Sequence, residues 1–142
     1  MTLSINTAAR NAAVDAIRVL PDAGAAAGVL RIYSGAKPAT PATTATGTLL
    51  AAITLNKPSF GAGAVGVSTI ITTPTISGVA AATGTAGYYR ILTSTEAGST
   101  GLGVIDGVVT ATGGGGDLTL DTVSIVSGVT VTCTGGTLTM PG

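Results

Sequence analysis

The sequence predicts a mainly β protein with one α-helix near its N-terminus. Apolar residues make up 45% of the 142 residues but aromatic residues only 3%, so the apolar material is chiefly Ala, Val, Ile and Leu. The 22 glycines and the many threonines favour strands joined by turns over packed helices. Apolar and polar residues also alternate along several segments, as in half-buried strands. The length predicts a single domain over residues 1–142.

The low charge of the chain excludes several classes of protein. Charged residues make up 8% of the sequence, and the net charge is zero. Disorder is not expected, because disordered chains combine low hydrophobicity with high net charge. A neutral chain lacks the positive surface that binds nucleic acid. No apolar run approaches the roughly 18–20 residues that span a bilayer, and the first residues do not resemble a secretory signal. We therefore expect neither a membrane nor a nucleic-acid partner, and a protein that is made and kept in the cytosol or leaves it by a route other than secretion.

An N-terminal arm and helix are predicted over about residues 1–20. Residues 1–5 fit either a short strand or an arm lying on a neighbour. The helix is expected to begin after an N-cap at Asn6 or Thr7 and to end at Pro21. Its apolar stripe consists mostly of alanine, which permits close approach to a sheet or to another helix: Ala9, Ala13, Ala16, Ile17 and Leu20. This helix either covers the end of the β-structure or makes a contact between subunits.

Four strands and a long loop are predicted before residue 84. The segment 29–34, VLRIYS, alternates as a strand, and 48–55, TLLAAITL, is apolar on both faces, which is typical of a central strand. Two further strands are expected at 67–72 and 75–82. The Pro/Thr/Ala loop at 35–47 should be extended, with little contact to its own domain, so it is either mobile or held by a neighbouring subunit.

Two glycine-rich segments are interpreted as bends between strands. Gly61, Gly63 and Gly66 match the spacing of a dinucleotide-binding loop, but Pro58 precedes them and a β-like segment, not a helix, follows. The segment 111–117, ATGGGGD, lacks the Gly-Lys-Ser/Thr of a phosphate-binding loop. Neither segment is expected to bind a cofactor.

The clearest hairpin lies at 84–109. Folding it about a polar loop near Gly98 places Arg90 opposite Asp106 and pairs apolar with apolar residues. The apolar pairs of this register are Leu92 with Val104, Ile91 with Ile105 and Tyr88 with Val108. We expect the aromatic and charged residues of this hairpin to have a structural role in the core.

A second hairpin is predicted at the C-terminus, with Gly135 and Gly136 forming a two-residue turn. This turn would place Cys133 opposite Leu138 on the core side. The companion pairs are Val131 with Met140 and, on the other face, Thr132 with Thr139.

The chain offers few residues for chemistry. It has no histidine, and Cys133 is its single cysteine, so an internal disulfide or a cysteine-built metal site is excluded and a buried small side chain is expected. Asp117 and Asp121 beside the glycine loop could form a weak carboxylate metal site, although a surface role fits them better. We predict that the protein is not an enzyme and has no catalytic, cofactor-binding or metal-binding residues.

Several segments resemble a group of small virion proteins of tailed bacteriophages. They are the AARNAAVDAI helix, the LRIYSGAKPATPATTATGTLLAAITL region, GTAGYYRILTS, DLTLDTVSIVSGVTVT and the closing TLTMP. The resemblance rests on composition and on the order of segments, and it carries no site residues. It implies an antiparallel, jelly-roll-like β-sandwich that decorates and cements the capsid exterior, commonly as a homotrimer. The expected partners are the major capsid protein and further copies of the chain.

Two other roles fit the same composition. One is a tail- or fibre-associated structural protein, and the other is a host-facing adhesive module on the virion. We expect contacts to be made by Met1–Leu20 and Gly35–Gly47. The sequence does not distinguish which segment touches the capsid and which touches another copy.

Overall fold

The chain folds as a curled β-sheet with one long helix docked against it, in a computed structural model that describes residues 3–142. The predicted arm at 1–5 falls partly outside the described residues, and 3–6 form neither helix nor strand. The elements are α1 (Thr7–Arg18), β1 (Val29–Ser34), β2 (Leu49–Thr54), β3 (Val67–Thr69), β4 (Ser77–Val79), β5 (Gly84–Leu92), α2 (Ser94–Gly98), β6 (Ile105–Ala111), β7 (Leu118–Leu120), β8 (Ser124–Ile125) and β9 (Thr130–Thr139).

The boundaries of α1 confirm the predicted capping. The side chain of Asn6 accepts a hydrogen bond from the backbone N–H of Ala9 at 2.8 Å, which satisfies one of the free donors of the first turn. The helix ends at Arg18, and Pro21 sits in the 3₁₀ turn Leu20–Ala23 that follows. Proline cannot continue a helix, so the chain turns here toward β1.

The sheet is mixed, with the order β2-β1-β5-β6-β7-β9-β3. β4 pairs with β9 and also meets β2, because Ala51 and Ala80 form a bridge and the backbone N–H of Ala81 donates to Leu50 O at 2.7 Å. The sheet therefore curls round, and β4 connects β2 to β9. The prediction of a wholly antiparallel sheet is wrong for β6 and β7, which are parallel. The strand predicted at 48–55 does have a neighbour on each side, β1 and the segment after β4, but only one of its faces is buried, because Ala52 and Thr54 are exposed.

The predicted 84–109 hairpin has the expected register. Between β5 and β6, Tyr88 pairs with Val108, Arg90 with Asp106 and Ile91 with Ile105. The fourth predicted pair, Leu92 with Val104, lies just beyond the paired residues. Where a polar loop was predicted around Gly98, the chain forms the short helix α2, capped by the side chain of Thr93.

β5 is the most deeply buried strand and organises the core. It pairs with β1 on one side and β6 on the other, and every residue from Tyr88 to Leu92 is buried. Buried aliphatic side chains from all parts of the sheet fill the curl, among them Leu30, Ile32, Leu50, Ile53, Leu118, Leu120 and Ile125. In β1, Leu30 and Ile32 lie on the same face and are both fully buried.

The predicted C-terminal hairpin is wrong. Residues 130–139 form one continuous strand, in which Gly135 and Gly136 pair with Thr119 and Leu118 of β7. A two-residue turn of the predicted type needs a positive φ, which neither glycine has. The glycines instead let β7 approach closely, because a Cβ on Gly136 would lie 3.1 Å from Leu118 Cδ1. The predicted core positions of Val131 and Cys133 are nevertheless correct, since both are buried.

Candidate interaction surface

The charged side chains of this protein hydrogen-bond to the chain itself. Each of the six acidic groups accepts a hydrogen bond from the same chain: Asp15, Asp22, Glu96, Asp106, Asp117 and Asp121. Each of the six basic groups donates one: Arg10, Arg18, Arg31, Lys37, Lys57 and Arg90. Most of these bonds tie separate segments together, whereas Lys37 bonds its neighbour Pro38 and Glu96 bonds the nearby Thr100.

The strongest of these ties is the buried ion pair between Arg90 and Asp106. Arg90 Nε and Nη2 each donate to one carboxylate oxygen of Asp106 at 2.8 Å, and both side chains are inaccessible to solvent. Two parallel bonds of this kind fix both distance and orientation. The hydrogen bonds that Arg90 donates to Asp106 raise the pKa of Arg90 and outweigh the opposing effect of burial. The guanidinium also donates to Thr43 O and Gly101 O, so one side chain joins β5, β6 and two loops.

The loop at 35–47 is held by its own domain, which corrects the expectation of little self-contact. Tyr88 Oη donates to Thr46 O at 2.7 Å and accepts from Thr46 N at 3.0 Å, while Arg90 donates to Thr43 O at 2.7 Å. Tyr88 is itself stacked on Tyr33, with ring centroids 5.1 Å apart. The sequence pattern missed this because the anchoring residues lie more than forty positions along the chain. The outer side of the loop remains exposed, so the loop presents a fixed shape to solvent.

Helix α1 docks through its polar face, which is opposite to the expected orientation. Asn11 Oδ1 accepts from Gly66 N at 2.7 Å, Asp15 Oδ1 accepts from Gly63 N at 2.8 Å, and Arg10 donates to Met140 O at 2.8 Å. Val14 lies between them and is the one buried side chain of the helix. The hydrogen bonds from Arg18 and from Gly63 N lower the pKa of Asp15. The 61–66 segment, predicted only as a bend, thus serves as the docking site for the helix.

The opposite face of α1 is apolar and turned to solvent. Its exposed residues are Ala8, Ala9, Ala12, Ala13, Ala16 and Val19. Large apolar side chains also precede and follow the helix in the chain, with Leu3 77% and Leu20 45% exposed. An amphipathic helix that serves only its own domain buries its apolar face. We define this exposed set, with Leu3, Ile5 and Leu20, as the α1 surface.

Two further exposed apolar features lie elsewhere. Val79, Val126 and Val129 are 64%, 53% and 52% exposed and lie on neighbouring backbone, since Val129 O accepts from Ala80 N and Val126 O accepts from Val129 N. Val65, 67% exposed, occupies a turn with φ of 52°, which a β-branched residue rarely adopts. Sequence patterns could not find these residues, because valine in a β protein is the usual core residue.

The residues considered for chemistry are not brought together. Asp117 accepts from Val108 N, and Asp121 accepts from Thr122 N and Thr132 N, so both carboxylates cap backbone groups. Among residues 3–142, no group of three or more metal-ligating side chains converges. Cys133 is buried, as predicted for a small apolar side chain.

Burial makes the stability of the protein sensitive to alkaline pH. It raises the pKa of Cys133 to about 11 and also raises the pKa of Tyr89. A group whose pKa is raised on folding stabilises the protein fully below its unfolded pKa, and this stability is lost as pH rises to the folded pKa. Between about pH 9 and 11, the thiol should therefore remove up to about 2–3 kcal/mol of stability.

Urea unfolding of wild type and Cys133→Ala across this pH range tests the prediction. Wild type should lose more stability than the variant, whereas parallel curves would contradict it. Tyr89 is common to both proteins and cancels in the comparison.

Comparison of the chain with protein-family models, with curated protein sequences and with solved structures found no match. Within residues 3–142, no helix combines the length and apolar character needed to cross a membrane.

Proposed function

We propose that this protein is a structural component of a tailed-bacteriophage virion that decorates and cements the capsid exterior. One observation supports this role above the others: most charged side chains bond to distant parts of the same chain, while large apolar side chains lie on the surface. Exposed apolar patches of a few hundred Å² are characteristic of protein interaction sites. In this proposal the protein is not an enzyme, and its function is to bind other subunits of the virion.

The proposed partners are the major capsid protein and further copies of the chain, as a homotrimer on the virion surface, assembled in the host cytoplasm. Neither nucleic acid nor a membrane has a part in it. The proposal also includes the jelly-roll-like β-sandwich that the phage resemblance implies. It is a more specific description of the curled sheet. Binding only the assembled lattice would stabilise the shell by mass action.

The loop at 35–47 is the proposed capsid contact. It is exposed on its outer side and fixed on its inner side by Tyr88 and Arg90. A loop already held in one shape loses little conformational entropy when it binds. Val79, Val126 and Val129 add further exposed apolar side chains.

Counting copies of the protein in purified particles of the phage that encodes it tests the role. We expect a stoichiometry close to that of the major capsid protein, because a cement must bind throughout the lattice. A few copies per particle would instead indicate a tail or fibre protein, and absence from the particle would overturn a virion role. Particles lacking the protein should also lose heat and low-salt resistance; if they withstand both as well as wild type, the cementing role is wrong.

A further inference from the structure

We propose that the loop at 35–47 is a recognition loop, whose backbone fixes its shape and whose exposed side chains Lys37, Thr40 and Thr44 determine which surface it binds. This inference deepens the proposed capsid contact and rests on it. The two can fail separately, because the shape of the loop is measured on the purified protein and its binding on phage particles.

The loop is attached to the rest of the domain through its backbone. Four hydrogen bonds join it to other segments of the described chain, and each uses a backbone atom of the loop: Pro41 O, Thr43 O, Thr46 N and Thr46 O. The groups that bond these atoms are Gly103 N, Arg90 Nη1 and Tyr88 Oη. The position of the loop therefore does not depend on its exposed side chains.

The threonines of the loop fall into two groups. Thr43 Oγ1 donates to Thr40 O at 2.6 Å and Thr46 Oγ1 donates to Ala36 O at 3.0 Å, so these two side chains tie the loop to itself. The side chains of Thr40 and Thr44 make no hydrogen bond within residues 3–142, and both residues are exposed. Thr40 and Thr44 are therefore free to bind a partner.

Changes to the exposed side chains should leave the fold intact. No residue of the loop is buried. Surface substitutions away from caps, turns of special geometry and bonded networks usually change stability little. The side chains that a partner meets can thus vary without loss of the shape that presents them.

The exposed polar groups of the loop are chiefly donors, which indicates the chemistry of the partner. Lys37 Nζ has three N–H groups, and its hydrogen bond in the described chain goes to its neighbour Pro38 O at 3.4 Å. The hydroxyls of Thr40 and Thr44 add two more donors, and the loop contains no acidic residue. A complementary surface presents carboxylate and carbonyl oxygens. We expect an acidic patch on the capsid shell.

Tyr88 acts as a positioning residue for this loop. Its hydroxyl bonds both the N–H and the C=O of Thr46, at 3.0 and 2.7 Å. When a binding-competent shape is populated for only part of the time, the apparent affinity falls by that fraction. Loss of the hydroxyl should therefore weaken binding even though Tyr88 itself lies beneath the loop.

A variant with three substitutions, which we call the loop-face variant, tests the recognition role: Lys37→Ala, Thr40→Ala and Thr44→Ala. Its affinity for phage particles that lack the protein should fall by about tenfold or more, and the difference from wild type should shrink at high salt. Its urea midpoint should equal that of wild type. The control variant loses the same types of side chain from exposed positions elsewhere and should bind as wild type does: Lys57→Ala, Thr137→Ala and Thr139→Ala.

The possible outcomes distinguish the inference from the capsid role. A wild type that does not bind the particles would overturn the capsid role and the inference with it. Equal affinities of wild type and the loop-face variant would overturn the inference alone, as would an equal loss in the control variant. A difference that high salt leaves unchanged would rule out the acidic partner.

Tyr88→Phe tests the backbone attachment. It removes both bonds to Thr46 and keeps the ring that stacks on Tyr33. Hydrogen exchange at Gly103 N, which bonds Pro41 O, should accelerate by about fivefold or more, because the loop moves as one piece. Amides between β1 and β2 should not accelerate, and binding to particles should weaken. Tyr33→Phe, a change in the same stack, should leave exchange at Gly103 N as in wild type. Unchanged exchange in Tyr88→Phe, or faster exchange in the loop-face variant, would overturn the proposal.

Discussion

Replacing Asp106 with Asn is expected to lower the free energy of unfolding by about 3–5 kcal/mol. The substitution keeps the shape of the side chain but leaves the charge of Arg90 buried without a counter-charge. Urea unfolding at neutral pH measures the loss. The matched control is Asp121→Asn, in which an exposed carboxylate loses its charge, and it should cost under about 1 kcal/mol.

The effect of Asp106→Asn should extend to the loop at 35–47. Arg90 donates hydrogen bonds to both Asp106 and Thr43 O. If the substitution displaces the guanidinium, the loop that it anchors should become looser. Hydrogen exchange at the Thr46 amide, which donates to Tyr88 Oη, should then accelerate. Replacing both charges, with Arg90→Met and Asp106→Leu together, should cost less than Asp106→Asn alone, because no lone charge is left buried. A loss below about 1 kcal/mol for Asp106→Asn would show that the pair does not hold the fold.

Gly47→Ala is expected to destabilise the protein strongly. Gly47 has a φ of +76°, and a Cβ there would lie 2.0 Å from the carbonyl oxygen of Ser34. The chain would have to move at the point where the loop rejoins the sheet, since Ser34 N also bonds Thr48 O. We expect a loss on the order of 3 kcal/mol or more, from backbone strain and steric overlap together.

Gly35→Ala provides the control at the other end of the same loop. Its φ of +79° is nearly the same, but an added Cβ would meet no atom within 4 Å. It should therefore cost only the roughly 1–2 kcal/mol of a left-handed alanine. Thermal unfolding of both variants separates strain from overlap, and equal losses would contradict the close approach at Ser34.

The sequence predicted those parts of the fold that depend on local pattern or on complementary pairs. Asn6 and Pro21 mark the ends of α1 because capping and the missing proline N–H act within a few residues. The register of β5 and β6 followed from Arg90 and Asp106, since a slip by one residue would turn them to opposite faces of the sheet.

The wrong predictions concern residues whose contacts with distant parts of the chain override their local structural preference. Gly135 and Gly136 suit a tight turn by themselves, but β7 requires a close approach at these positions and keeps the strand straight. The packed face of α1 was also misjudged, because hydrophobic periodicity assumes that a helix buries its apolar side in its own domain. The backbone donors at Gly63 and Gly66, which reverse this, could not be assigned to the helix from spacing alone.

An electron-microscopy map of the intact particle tests the central claim most directly. We predict density for this protein across the outer surface of the head, with the loop at 35–47 against the capsid shell. Density confined to the tail, or copies on the head whose loop at 35–47 faces solvent, would contradict it.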